Sequence, residues 1–139
     1  IGAYIEDKYI PSELQKLAVY KRISEIDSAA DRDELLEELA DRYGKPPESV
    51  RMLAEVAYMR ALASKAGVER IRQKEDAVIM SFASGYSLDF ARVTAAVNAF
   101  APKAALSAGA NLAIVLRVKG MTDADITALA VSVLEKINE

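Results

Sequence analysis

The sequence predicts an α+β domain, in which an N-terminal three-helix segment precedes a β-β-α-β-β-α segment with a small antiparallel sheet. Apolar residues recur at helical spacing up to about residue 66, whereas β-branched and alternating runs begin after Gly67. Turn residues then separate short strands closely enough for hairpins, which favours antiparallel pairing. We therefore interpret residues 1–139 as a single domain with an extended arm at 1–10, a helical half at 11–66 and a sheet-and-helix half at 67–139.

Capping signals divide the helical half. Ser12, with Gln15 three residues later, has the spacing of a capping box, and Asp31 with Glu34 repeats that spacing before the second helix. Gly44 and the two prolines that follow end the second helix. The apolar stripe predicted for the first helix consists of Leu14, Leu17, Ala18, Ile23 and Ile26. The buried face predicted for the second helix consists of Leu35, Leu36, Leu39 and Tyr43.

The second half alternates hairpins with helices. The predicted strands span 68–74, 77–82, 104–107 and 112–118. Ser87 is the predicted N-cap of the helix between the hairpins, and Thr122, with Asp125 three residues later, is the predicted N-cap of the last helix. The inward face predicted for the first of these helices consists of Phe90, Val93, Val97 and Phe100.

The amino-acid composition excludes several classes of function. The chain has no cysteine and no histidine, which excludes disulfides, thiolate nucleophiles and histidine general bases. A net charge of −3 argues against general attraction to nucleic acid or to an anionic membrane, and no apolar run could cross a bilayer. The absence of cysteine fits a cytoplasmic protein. The chain begins at Ile1 rather than at methionine, so we expect it to be a piece of a longer protein.

We expect no catalytic, cofactor-binding or metal-binding residues, and no enzymatic activity. A carboxylate pair for acid-base catalysis needs a pocket that separates two pKa values, whereas the carboxylates here lie on regular helix faces. Asp123 and Asp125 are better explained as capping residues. Gly85, Gly109 and Gly120 are isolated glycines, which are typical of turns rather than of a phosphate-binding loop.

One helix face concentrates negative charge. This face, called the acidic face below, consists of Asp31, Glu34, Glu37, Glu38 and Asp41. Like charges at these helical spacings destabilise an isolated helix slightly, and Asp41 lies in the last turn, where the helix dipole also disfavours it. The residues alone leave two interpretations open: a solvated surface, or a contact for a basic partner.

A second charged feature is the alternation of Arg70, Arg72 and Lys74, called the basic row below, which places all three on one face of a strand. It could contact nucleic acid or polymerase, but no aromatic residues alternate with it as stacking platforms would require. A charged edge strand that resists aggregation is the other interpretation of the basic row.

Two further alternatives for the function of the whole chain are a small enzyme with a carboxylate pair and a scaffold that self-associates through its alanine-rich third helix.

Three motifs occur in a fixed order. They are YIP at Tyr9–Pro11, LAVYKRI at Leu17–Ile23, and ELADRYG at Glu38–Gly44 with Pro47 just beyond. This order resembles the C-terminal domain of the bacterial transcription-repair coupling factor (Mfd), most clearly from Tyr4 to Ile71. The resemblance implies a parent protein with a helicase-type, ATP-dependent DNA translocase motor, which displaces stalled RNA polymerase and recruits the damage sensor UvrA in DNA repair.

The same resemblance implies the role of this domain. In that family the C-terminal domain has no reaction of its own and is autoinhibitory, because it docks on the parent's UvrB-like N-terminal module and covers the surface that UvrA would use. The family residues that contact the module correspond to Glu38 and Asp41 in this chain. The expected partners are therefore that module within the same protein and, indirectly, UvrA and RNA polymerase.

Overall fold

The computed structural model describes residues 4–84, 88–109 and 111–139, and the chain divides into two compact units, Ile1–Ala61 and Leu62–Glu139. The described helices are α1 (Glu13–Ser24), α2 (Ala29–Tyr43), α3 (Glu48–Ala66), α4 (Phe90–Ala99) and α5 (Asp123–Ile137). The described strands are β1 (Val68–Lys74), β2 (Ala77–Phe82), β3 (Ala104–Ala108) and β4 (Leu112–Arg117). The strands form one antiparallel sheet in the order β1-β2-β4-β3, which confirms the predicted α+β class and element order.

Helix α1 begins as predicted, because the Ser12 hydroxyl accepts a hydrogen bond from the Gln15 N–H at 3.2 Å. Its predicted apolar stripe was wrong in part, since Leu14, Leu17 and Ala18 are exposed. The buried residues of the helix are Lys16, Val19 and Ile23. A lysine occupies one position of the inward row, so the periodicity of apolar residues points to the wrong face.

Lys16 is buried because it has two anionic partners. Its ammonium group donates to the Asp7 carboxylate and to Glu13 Oε1 at 3.0 Å. The hydrogen bond to Asp7, followed by the one to Glu13, raises the pKa of Lys16 above its ordinary value. The contact with Asp7 also fixes the arm, residues 4–10, against α1.

The prediction that Asp31 caps α2 was wrong, because the helix starts earlier. Ser28 is the N-cap, and its hydroxyl accepts from the Asp31 N–H at 3.1 Å. Asp31 Oδ2 in turn accepts from the Asp27 N–H at 3.0 Å, so the two side chains satisfy backbone donors reciprocally. The predicted buried face is confirmed at Leu35 and Leu39, while Leu36 and Tyr43 are half-buried.

The C-terminus of α2 is tied to the arm. Gly44 ends the helix as predicted, with a positive φ of 88°, and its N–H donates to the Ala40 carbonyl at 3.0 Å. The Tyr9 hydroxyl donates to the Gly44 carbonyl at 2.9 Å and lies 3.2 Å from the Leu39 carbonyl. The Tyr9 and Tyr43 rings meet edge to face, with centroids 5.8 Å apart. Tyr9 therefore satisfies the carbonyl of Gly44, the C-cap residue, and fixes the end of α2 against the arm.

In the second unit, the residues of β2 alternate between half-buried and buried, so one face of the sheet belongs to the core. The buried residues of this core include Val78, Met80, Phe82, Ile114, Leu116, Val93, Val97, Val133 and Leu134. The last helix is capped as predicted, since Thr122 Oγ1 accepts from the Asp125 N–H at 3.1 Å.

Helix α4 differs from the prediction at its start. The predicted cap Ser87 and the predicted turn residue Gly85 lie outside the described residues, and Asp89 is the N-cap that accepts from the Arg92 N–H. Phe90 was predicted to point inward but is exposed. It is the first residue of the helix. Among the described residues, no helix combines the length and apolarity needed to cross a membrane.

We predict that Tyr9→Phe destabilises the protein by about 1 kcal/mol, because it removes the hydroxyl that binds the carbonyls at the end of α2. Burial, followed by the neighbouring Tyr43, raises the pKa of Tyr9 above 10.0. A raised folded-state pKa means that the unfolded chain ionises first, so the stabilisation is complete below about pH 10 and is lost as the pH rises through the folded pKa.

The measurement is urea unfolding at pH 9 and at pH 10.5 for the wild type, Tyr9→Phe and the control Tyr4→Phe, whose ring is exposed. The stability difference between the wild type and Tyr9→Phe should shrink at the higher pH. A constant difference would contradict the assignment of the hydroxyl as the donor that stabilises the end of α2.

Arg32 connects α2 to α3 within the first unit. Its guanidinium lies 2.9 Å from Glu55 Oε1 and 3.0 Å from Asp33 Oδ1, and its Cζ lies 4.6 Å from the centroid of the Tyr58 ring. The Arg32 side chain is only 20% exposed. Partial desolvation makes these contacts stronger than an ion pair in water.

We predict that Arg32→Met lowers the free energy of unfolding by about 1–2 kcal/mol, through loss of the cation–π contact and the ion pair to Glu55. Arg51→Met is the matched control, because Arg51 is exposed on α3 and should tolerate the change within about 0.5 kcal/mol. Equal unfolding midpoints in a denaturant titration of both variants would show that Arg32 has no special role.

Candidate protein-docking site

The acidic face lies on the side of α2 away from its buried leucines. Asp31, Glu34, Glu37 and Asp41 are exposed, whereas Glu38 is half-buried. This distribution follows from helical spacing, because the side of α2 that buries Leu35 and Leu39 leaves residues at other angles around the helix toward solvent.

Glu38 differs from the other acidic residues because it already has a cationic partner. Arg22, in α1, donates from Nη1 to Glu38 Oε2, and Arg42 Nη1 lies 3.9 Å from the same oxygen. The Arg42 guanidinium also lies 5.1 Å from the centroid of the Tyr43 ring. Arg22 and Glu38 thus join the two helices across the edge of the acidic face.

The remaining carboxylates divide into two kinds. Asp31 is engaged with the backbone N–H of Asp27. For Glu34, Glu37 and Asp41, the described part of the chain contains neither an ion pair nor a side-chain hydrogen bond. These three uncompensated charges lie three or four residues apart, an arrangement that costs a few tenths of a kcal/mol per pair, about 0.2–0.5.

Two shallow depressions border the acidic face. One, of about 220 Å³, is lined by Arg22, Glu25, Ile26, Asp31, Glu34 and Leu35. The other, of about 400 Å³, is lined by Ala30, Asp33, Glu34, Glu37, Glu38 and Asp41. Within residues 4–84, 88–109 and 111–139, the carboxylates form no cluster suited to a metal ion. The chemistry available on this surface is the acceptance of hydrogen bonds from arginine and lysine groups.

The basic row lies on β1, at one edge of the sheet. Arg70, Arg72 and Lys74 are exposed and pair with Ser81, Ile79 and Ala77 of β2, so they share the face that is only half-buried. The pairing shifts between Val68 and Arg70, which marks a bulge. None of the three paired β2 residues is aromatic, so the row lacks stacking rings beside it on that strand.

Sequence reasoning did not identify two features of this region. The contact between Arg22 and Glu38 joins residues sixteen positions apart, and only the antiparallel packing of α1 on α2 brings them together. The exposure of Leu14 and Leu17 was hidden by their apolar character. A signal for it existed in Val19 and Ile23, which lie one turn apart and mark a buried side of α1 that excludes both leucines.

The fold and this surface define an α+β domain with an exposed acidic helix face. Comparison with known proteins identifies its family. The family model of the TRCF domain matches residues 1–93, and the chain therefore belongs to the TRCF domain family.

Relatives and a solved structure agree with this assignment. The chain is 35% identical over 89 residues to the transcription-repair-coupling factor of Bacillus subtilis and 32% identical over 79 residues to that of Escherichia coli. These matches cover 64% and 57% of the chain but only 8% and 7% of the relatives, so the chain spans a small part of their length. A crystal structure of the C-terminal domain of transcription-repair coupling factor matches with a TM-score of 0.91 at 26% identity, covering 99% of this chain and 88% of that one. The resemblance predicted from the three motifs is confirmed.

Proposed function

We propose that this chain is an autoinhibitory domain of a bacterial transcription-repair coupling factor, which docks on the UvrB-like N-terminal module of the same protein and masks its UvrA-binding surface. The observation that carries the proposal is the row of uncompensated carboxylates on α2, in a chain of the TRCF domain family. A partner with arginine or lysine side chains would remove the repulsion within that row.

Glu38 and Asp41 are the proposed central contacts, one turn apart on α2. Asp41 is exposed at the last turn of the helix, where a cation from a partner would offset both neighbouring charges and the helix dipole. Glu38 accepts from Arg22 through one carboxylate oxygen, Oε2, and so keeps Oε1 for a second donor. Glu34 and Glu37 extend the contact, and Asp31 ends it.

The strength of such a contact suits a reversible clamp. A charge-assisted hydrogen bond contributes roughly 1.5–3 kcal/mol when it is desolvated. Two such contacts within one protein, where the effective concentration is high, would hold a closed state. Binding of RNA polymerase and DNA by the rest of the protein would then open it by competition.

The reactions of the parent protein would be carried out by its other domains. The ATP-dependent DNA translocase motor of such a factor would lie outside this chain, which acts as a cytoplasmic regulatory module and takes no cofactor. RNA polymerase and UvrA are therefore indirect partners in this proposal.

The basic row supports an alternative function, contact with nucleic acid or polymerase. Its three cations are exposed, and the described residues contain no ion pair to them. That function would require an affinity for DNA that falls steeply with added salt. The overall charge of −3 favours the acidic face as the principal contact.

We predict that Glu38→Ala with Asp41→Ala, placed in the full-length protein, opens the clamp and allows capture of UvrA in a pull-down. Asp41 is exposed, and Glu38 takes part in an ion pair with Arg22 that is itself about 40% exposed, so each substitution should change the stability of the domain by less than about 1 kcal/mol. Circular dichroism of the variant chain checks that the fold is retained.

Glu48→Ala with Glu69→Ala is the matched control, because it removes two exposed negative charges that belong to α3 and β1 rather than to α2. This control should bind as little UvrA as the wild type. If the Glu38 and Asp41 variant also fails to capture UvrA, the acidic face is only a solvated surface and the proposed function is wrong.

A further inference from the structure

Helix α1 exposes two leucines on the side away from its packed residues. Leu14 is 80% exposed and Leu17 is 64% exposed, while Val19 and Ile23 are buried on the opposite side of the helix. Lys21 lies one turn after Leu17 on the same outer side and is exposed. Two large apolar side chains at such exposure, one turn apart, are typical of a contact surface rather than of a packed helix.

The outer side of α1 continues into the acidic face. Leu14, Ala18 and Arg22 follow each other at intervals of four residues, so they form one row along the helix. Arg22 ends this row in its ion pair with Glu38. At the other end of the antiparallel pair, the Tyr43 hydroxyl lies 3.2 Å from Gln15 Oε1. Leu14 therefore lies in the row of α1 that ends at the edge of the acidic face, and Leu17 lies one turn beyond Leu14 on the same exposed side of α1.

We propose that Leu14 and Leu17 are the apolar anchors of the same docking surface whose charged part is the acidic face. The occupant is a protein surface with an apolar depression bordered by arginine or lysine side chains, which the proposed function places on the UvrB-like module. This inference rests on that proposed function.

Charge complementarity selects this occupant. The three uncompensated carboxylates on α2 repel an anionic lipid surface or an acidic protein and attract a basic one. Apolar anchors surrounded by charged residues are the usual arrangement of an interface, in which a few buried side chains supply most of the affinity and the rim sets the orientation. In this surface the acidic face orients the partner and the leucines hold it.

The test is UvrA capture by the full-length protein carrying Leu14→Gln and Leu17→Gln, measured beside the Glu38 and Asp41 variant over a series of salt concentrations. Phe90→Gln is the matched control, because Phe90 is an exposed apolar residue, 57% accessible, on α4 of the second unit. The substituted leucines are exposed, so circular dichroism should be unchanged. Sedimentation of the wild type and the leucine variant reports any self-association.

The inference predicts that the leucine variant captures at least fivefold more UvrA than the wild type, while Phe90→Gln captures no more. Salt should still increase capture by the leucine variant, because its carboxylates remain, but should have less effect on the Glu38 and Asp41 variant. If only the carboxylate variant captures UvrA, the leucines lie outside the interface and the inference is overturned. If neither does, the proposed function fails as well. A concentration-dependent mass that the leucine substitutions abolish would assign the leucines to a second copy of the protein instead.

Discussion

The buried side chains of Leu35 and Leu39 fix the orientation of α2, and the candidate docking site depends on that orientation. Both side chains are 1% exposed, and truncating either would cost about 2–5 kcal/mol. This energy greatly exceeds the few tenths of a kcal/mol, about 0.2–0.5, by which each pair of neighbouring carboxylates opposes the helix. The core can therefore hold a row of like charges at the surface, where they are available to a partner.

The sequence predicted those elements whose signals are local. The Thr122 cap, the Gly44 terminus and the hairpin of β1 and β2 all depend on residues close to one another in the chain, and all three are confirmed. The acidic face was also identified by spacing alone, although its role in docking stays a proposal.

Predictions were wrong where two residues could each cap the same helix, and where contacts outside a helix determined which of its side chains are buried. Ser28 and Asp31 both have capping side chains, and α2 uses the earlier one because Asp31 then accepts from the Asp27 N–H. Lys16 occupies a buried position on α1 because Asp7, in the arm, and Glu13 neutralise it. No rule of periodicity assigns a lysine to the inside, so Leu14 and Leu17 were placed there instead.

The half-buried Glu38 links the fold to the proposed function. Its ion pair with Arg22 joins α1, which carries the exposed leucines, to α2, which carries the carboxylates. A partner would then meet charges that act over about 8–10 Å at moderate salt, and apolar groups that act only in contact. This combination of long-range attraction and short-range contact suits a domain that must dock quickly and still dissociate.

An equilibrium competition between this chain and UvrA for the UvrB-like module measures whether the docked chain masks the UvrA-binding surface. If masking is direct, added chain displaces UvrA completely, and added salt weakens the displacement because electrostatic attraction contributes to docking. A stable complex containing the chain, the module and UvrA together would show that docking leaves that surface open, because a surface that is masked by one partner cannot bind the other.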